Sequence, residues 1–295
     1  VEAMGEETLE AVFEEQRPRL FGLAYRLLGS AAEAEDLVQE TFLRWRQAGR
    51  ADVPAAWLTR VITNLCLNEL ASARRRRESY AGPWLPEPVL TGDGALGPLE
   101  TVEQRESVSL GLLVLLERLS PAERAVFVLR EAFGHSHAEI AAMLGLGEAH
   151  SRQLHRRARE HVGAARKRFD ADRDQHRRIV ERFLAATLDG DVAGLERLLA
   201  ADVVAWADGG GSTAARRPVR GRLRVLRYLG GLSLRPEAAA VTAVIAEVNG
   251  EYAALLRHDG ELRAVMAVEV AGEHVAAVRT MVNPDKLAFA AAQLV

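Results

Sequence analysis

The chain has 295 residues, 48% hydrophobic and 27% charged, with a net charge of −3 and a single cysteine. That length holds two to three compact units, each able to bury a core. The lone Cys66 excludes a disulfide scaffold and a cysteine-based zinc site, and reads as a small buried hydrophobe in a helical apolar pattern. No apolar run reaches transmembrane length and the acidic N-terminal stretch shows no signal-peptide pattern, so the expectation is a cytoplasmic protein with no membrane partner. The near-neutral total hides segregation: acids crowd the first 40 residues, while four arginines run at 74–77 and Arg-Lys-Arg at 166–168. Local fields set contacts, so a nucleic-acid partner stays open.

Residues 8–29 carry an amphipathic pattern (Leu9, Val12, Phe13, Leu20, Phe21, Leu27) ended by Gly29. Ser30 and Glu33 form a capping box for a helix over 31–46, whose inward stripe is Ala34, Leu37, Val38, Thr41, Phe42 and Trp45. Its outward face shows Glu35, Asp36, Gln39 and Glu40. By chemistry alone that face is a solvated surface or a patch for a basic protein. After the loop at 49–54, a third long helix over 55–77 begins apolar and ends in four arginines. Arg60 and Asn64 fall one turn apart on it. A basic helix end beside aromatics such as Trp57 suits melted nucleic acid, where bases stack and the backbone needs countercharge; Trp57 as plain core is the alternative.

Residues 80–100 hold too many prolines and glycines for a continuous helix. Tyr80, Trp84 and Leu85 are too apolar for a solvated tether, which predicts that this linker docks on its own chain or on a partner. A helix over 101–119 follows. Next come Ser120, Pro121 and Glu123, then Ser136 and Glu139, two capping boxes in succession. The second helix stops at Gly145, and a third starts near Gly147 with Leu154 and Ala158 on its inner stripe. This is helix-turn-helix punctuation. Between Arg152 and Arg168 there are seven Arg or Lys against one Glu, side-chain types that meet phosphates and base edges in a major groove.

After residue 169 the grammar changes. Helices are expected over 172–187 and 191–200, a strand over 203–208, a Gly209–Gly211 loop and a helix around 223–229. Four alternating segments follow at 239–248, 252–257, 262–270 and 274–282. Asn249-Gly250 and Asp259-Gly260 join three of them as hairpin turns, and Gly272-Glu273 the last pair. The pattern is α+β, helices covering one face of an antiparallel sheet, with a pocket expected on the covered side. Acid–base candidates for such a pocket are Asp202, Asp208, Glu247, Glu269 and His274, with His258 and Asp259 placed at an exposed turn. No metal-ligand spacing or cofactor motif is present.

With those residues in view, the chain resembles a bacterial sigma-70-family factor of the extracytoplasmic-function (ECF) type. AEDLVQETFLRWRQ at 34–47 is similar to the region-two helix that docks on RNA polymerase, PAAWLTRVITNLCLNELASARRRRE at 54–78 to the helix facing the −10 element, and LSPAERAVFVLREAFGHSHAEIAAMLG at 119–145 to the opening of region four. YAGPWLPEP at 80–88, WADGGG at 206–211 and NPDKL at 283–287 resemble the subgroup with a fused SnoaL-like domain. The resemblance implies two all-α sigma domains, a region 2 helical bundle and a region 4 helix-turn-helix, followed by an α+β SnoaL-like (NTF2-like) cone. The implied divisions are 1–78, a linker at 79–105, 106–169 and 170–295.

Carried over by residue, Glu35, Asp36, Gln39 and Glu40 match the polymerase-binding face, which overturns the solvation account. Trp57, Arg60, Asn64, Asn68, Arg74 and Arg75, with the 50–54 loop, match the surface for the melted −10 strand. Ser151, Arg152, Gln153, Arg156 and Arg159 match the −35 recognition helix. Trp84, Leu85 and Pro86, Asp208 to Gly211 (Asp208, Gly209, Gly210, Gly211), and Asn283, Pro284, Asp285, Lys286 and Leu287 match segments of interdomain regulation. Related proteins often place a lysine after the glycine run, where this chain has Ser212. The implied function is transcription initiation with core RNA polymerase and promoter DNA as partners, the C-terminal domain regulating in cis. No cofactor, metal or catalysis is expected, and one copy per polymerase implies a monomer. Two alternatives remain: a sigma factor fused to an enzymatic or small-molecule-binding domain, and a ligand-sensing helix-turn-helix regulator. The latter leaves the 31–46 helix and WLTRVITNL unexplained.

Overall fold

The protein is described here by a computed structural model that covers residues 6–49, 51–92, 94–96, 102–166, 172–211, 214–234 and 236–295. Two compact units emerge, Val1–Glu78 with Asp93–Ala164, and Ser79–Gly92 with Ala165–Val295.

The first unit is helical: α1 Glu6–Leu28, α2 Ala31–Ala48, α3 Pro54–Glu78, α4 Val102–Glu106, α5 Leu110–Leu116, α6 Pro121–Glu131, α7 His137–Leu144 and α8 Glu148–Arg166. Leu20, Tyr25, Trp45, Leu58 and Ile62 form the buried seam of α1–α3, and the Trp45 indole N–H donates to the Leu9 carbonyl at 2.9 Å. Gly49, with φ of 73°, closes α2 by returning its N–H to the Trp45 carbonyl. The single helix expected over 101–119 is two. Ser109 accepts from the Leu112 N–H and starts α5 afresh, a break that the all-apolar LGLLVLL conceals because it carries no polar period. Both capping boxes, Ser120 with Glu123 and Ser136 with Glu139, are formed.

Buried arginines join these helices. Arg124 donates to the carbonyls of Leu116 (2.9 Å) and Leu27 (2.6 Å) and pairs with Glu117. Arg77 pairs with the same carboxylate and donates to the Leu28 carbonyl. Two cations thus satisfy the carbonyl end of α1, where the helix dipole favours positive charge. Arg26 donates to Ser107 Oγ at 2.9 Å, and burial lowers its pKa to about 10.

The second unit runs α9 Arg173–Leu188, α10 Val192–Leu198, β1 Leu199–Asp208, β2 Val219–Arg220, α11 Arg222–Ser233, a 3-10 turn Pro236–Ala240, β3 Val241–Val248, β4 Glu251–His258, β5 Glu261–Ala271, β6 His274–Met281 and α12 Pro284–Ala292. Strand order is β2-β1-β6-β5-β4-β3. β3 to β6 form the expected antiparallel meander. Asn249 and Asp259 take positive φ, each followed by a glycine that does the same, as two-residue hairpin turns require. β1 pairs parallel with β6 inside the sheet. Phe183, Leu195 and Leu229 from the helices pack on Val203, Met266, Val268 and Val278 of the sheet.

One expectation is corrected. The domain is α+β, but its sheet is not a closed cone. β2 and β3 are its two edges and do not pair with each other. Closure needs edge strands long enough to share a continuous staggered ladder, whereas β2 has only two residues. The β3 edge is instead taken by the linker, through a Leu90–Val248 bridge. The NPDKL segment is the N-cap and first turn of α12.

Candidate nucleic-acid interface and linker clamp

On α2, Asp36 and Gln39 are exposed, with Glu35 and Glu40 half-buried beside them. Glu35 accepts from Arg17 at 2.6 Å, yet burial holds its carboxyl above the ordinary value, outweighing that cation. Glu40 pairs with Arg44 at 2.8 Å. The four side chains therefore share one face, framed by Arg17 and Arg44.

On α3, Arg60, Asn64 and Asn68 are exposed at successive i, i+4 positions, so they make one stripe. Trp57 lies half-buried at its upper end, 5.5 Å from the Trp45 ring. The opposite face is closed: Thr59 and Thr63 hydroxyls bond back to the carbonyls of Ala55 and Thr59. Arg74 and Arg75 belong to α3, but their side chains, like all of Arg50, lie outside the described residues.

On α8, Arg152, Gln153, Arg156 and Arg159 are exposed. Arg152 is braced by Glu148 at 2.6 Å, and Arg156 lies 3.9 Å from Glu160. Ser151 differs. It is 0% exposed and its Oγ lies 3.1 Å from His137 Nδ1 of α7. One turn on, His155 Nε2 meets Glu131 Oε1 of α6 at 2.8 Å, and the two imidazoles face each other at 5.4 Å. These contacts fix the first turns of α8 against α6 and α7. Ser151 therefore faces the protein, although the resemblance groups it with the −35 recognition residues. Burial and the neighbouring His155 lower the pKa of His137.

The most enclosed polar site lies in the second unit, where the three irregular segments converge. Asp208 is 0% exposed at the end of β1. Its Oδ1 accepts from the Tyr80 hydroxyl and from Gly210 N–H; its Oδ2 accepts from Leu85 N–H and Lys286 Nζ, each at 2.8 Å. Lys286 also donates to the Leu85 carbonyl at 2.7 Å, and its ammonium lies 4.2 Å over the Trp84 ring and 4.6 Å over Tyr80. Asn283 caps α12 through Asp285 N–H and donates to the Tyr80 oxygen at 2.9 Å. Burial, then the bond to Asp208, pushes the Tyr80 phenol up. Leu85, Pro86 and Leu287 are buried around the group, while Pro284 and Asp285 stay exposed.

Gly210 has φ of 62°, and a Cβ there would lie 2.7 Å from Asn283 Nδ2. Glycine at this position lets the loop lie against α12. Ser212 lies outside the described residues. Further along the linker, Gln293 exchanges two bonds with the Leu90 backbone, Asn249 Oδ1 accepts from Val89 N–H, and Thr91 bonds Glu247. The sequence marks the 80–100 linker as docking through Tyr80, Trp84 and Leu85; Gln293, Asn249 and Glu247 as receivers of its Val89–Thr91 stretch are legible only in space.

Of the acid–base candidates, Asp208 and Glu247 hold the linker, and Glu247 also pairs with Arg173. Glu269 pairs with Arg279, whose guanidinium lies 4.8 Å over Trp206 and whose pKa burial lowers to about 10. Asp202 and His274 are exposed on the surface. Among the described residues no group of three metal-ligating side chains gathers, and no helix is long and apolar enough to cross a membrane. A cleft of about 430 Å³ lies beside β2 and the start of α11.

These features define a helical factor with exposed polar and basic stripes on α3 and α8 and a fused α+β unit. Residues 12–76 match the family model of sigma-70 region 2, and residues 109–162 that of sigma-70 region 4. The ECF RNA polymerase sigma factor SigJ of Mycobacterium tuberculosis is 42% identical over 286 residues, which cover 93% of this chain and 91% of that protein. The probable ECF sigma factor SigI of the same species is 33% identical over 290 residues, 95% of this chain and 94% of that one. A crystal structure of M. tuberculosis SigJ superposes with a TM-score of 0.75 at 38% identity, covering 95% of this chain and 98% of that one. The chain belongs to the ECF family of RNA polymerase sigma factors, which bind core polymerase and direct it to promoters.

Proposed function

We propose that the chain reads promoters through the α3 stripe and the outer face of α8, docks on core polymerase through the acidic face of α2, and is regulated in cis by its C-terminal unit. The observation that carries the regulatory part is the linker clamp at Asp208 and Lys286. Twenty-three residues separate α3 from α4 (79–101). A free flexible chain of that length would reach a root-mean-square span of about 26 Å, a freedom that the pinned residues 80–91 no longer have. Two weak DNA-binding surfaces on one chain gain from linkage only where the tether permits both to engage. Clamp occupancy thus sets which separations of the two surfaces are available.

In this reading the polypeptide makes and breaks no bond. The support is that Asp208, Glu247 and Glu269 are each engaged in an ion pair. The test is run-off transcription with purified core polymerase, comparing the full chain, a version ending near residue 169, and Lys286→Met in the full chain. The reading expects promoter-specific transcripts whose level or promoter preference changes in both altered forms. Identical transcription by all three overturns regulation in cis. Failure of the full chain to bind core polymerase overturns the assigned polymerase-docking role.

A further inference from the structure

The clamp leaves unexplained a strongly basic surface elsewhere in the second unit. From Gly209 to Pro236 the chain has seven arginines and no aspartate or glutamate. Arg216, Arg217, Arg220, Arg224 and Arg227 are exposed, and Arg222 is half-buried. On other helices Arg44, Arg152 and Arg177 each pair with a carboxylate one turn away. Among the described residues none of these six has one, and Arg227 donates only to the Leu223 carbonyl. Three of them converge. Arg220, Arg222 and Arg224 line the 430 Å³ cleft with the backbone of Gly221, against a single acid, Glu196. The Arg222 Nε is buried with no acceptor, a cost the fold carries unless something supplies one.

From this concentration of unpaired guanidinium groups we infer that the β2–α11 surface is a third nucleic-acid contact, which grips the phosphodiester backbone of DNA outside the two promoter elements. Planar guanidinium forks match phosphate oxygens two at a time. α11 adds to them: Gly221 precedes it with φ of 86° and provides no side-chain cap, and with Arg224 N–H bonded to the Gly221 carbonyl the amides of Arg222 and Leu223 are left for an anion at the helix start. From Arg222 to Arg227 the helix advances about 7.5 Å, and one DNA strand presents a phosphate about every 3.4 Å along its axis. Two or three phosphates therefore fall within reach. An acidic protein surface is the competing partner. The combination of forks with helix-start amides favours phosphate, and a stretch from 209 to 236 with no Asn or Gln suits backbone contact over base readout. The inference takes DNA as the polyanion from the promoter-binding reading.

The test measures binding of the full chain, alone and with core polymerase, to a promoter duplex and to a scrambled duplex across a salt series. Arg220→Gln/Arg222→Gln/Arg224→Gln is compared with the all-lysine version of the same three positions. Because Arg222 is half-buried, a second variant changes only exposed groups, Arg216→Gln/Arg217→Gln/Arg224→Gln. Each lost phosphate contact flattens the slope of log K against log salt by about 0.9. The expected result is a slope reduced by about 2 to 3 in each neutral variant, equally on both duplexes, with the lysine version retaining most of it. Unchanged slopes in both neutral variants overturn the inference. So does a loss seen only in binding to core polymerase without DNA, which would assign the surface to an acidic protein. Equal affinity of the wild-type complex for promoter and scrambled duplex would defeat the promoter reading instead, and leaves the slope difference as its own readout.

Discussion

Replacing Asp208 by asparagine removes one charge and almost no volume from the clamp. In the wild type the carboxylate receives four donors, three neutral (Tyr80 OH, Leu85 N–H, Gly210 N–H) and one cationic (Lys286). After Asp208→Asn, the buried ammonium keeps one carbonyl, that of Leu85, and two aromatic faces. Removing one partner of a buried ion pair costs about 3–5 kcal/mol, because the surviving charge loses its counter-charge in a poorly solvated site. Lys286→Met is milder, at about 2 kcal/mol, since three neutral donors still serve Asp208. The double variant should recover about 2 kcal/mol relative to the sum of the singles. For a unit of this size, about 4 kcal/mol corresponds to roughly 8–16 °C in unfolding midpoint. Differential scanning calorimetry of the full chain, with protease sensitivity of 79–92 followed by peptide mapping, measures both effects. Strict additivity of the two singles, or Asp208→Asn costing under about 1 kcal/mol with the linker still protected, would refute the argument.

Two further outcomes follow from the second unit. His176 donates from Nε2 to the Val268 carbonyl at 2.9 Å, and burial lowers its pKa below the ordinary 6.5. The unfolded chain therefore binds its proton first, so this contribution to stability is present above about 6.5 and is lost as pH falls below it. Urea unfolding between pH 7.5 and 5 should show a shallower acid loss in His176→Gln than in the wild type, and parallel curves would remove His176 from the account. Gly210→Ala places a methyl group 2.7–3.2 Å from the Asn283 amide at a positive φ. Backbone strain of about 1–2 kcal/mol then adds to displacement of the α12 cap. A lower melting midpoint with faster cleavage of the linker is expected, and an unaltered midpoint would show that the loop moves without cost.

Much of the helical half was legible from local chemistry. Ser30, Ser120 and Ser136 each announce a helix start because their hydroxyls satisfy amides only three residues away. Gly49 and Gly145 announce the stops for an equally local reason, a left-handed φ. The i, i+4 spacing of Arg60, Asn64 and Asn68 places them on one exposed face without any tertiary information. The hairpins at Asn249 and Asp259 were legible for the same reason. Ser151 was not. Its position in the helix gives its angle, but the neighbour that buries it, His137, comes from another helix.

The sequence by itself determined most of the helices (not the break at Ser109, nor α12), the meander, the shared face of Arg60, Asn64 and Asn68 and the docking character of the 80–100 linker, since each rests on contacts within a few residues. Only the tertiary structure decided where β1 enters the sheet, that the sheet stays open, and that Tyr80, Asp208, Asn283 and Lys286 meet at one point. Those pairings join residues 78 to 203 positions apart. No local period encodes such a meeting, and it is fixed by which buried charge finds its donors once the chain has folded.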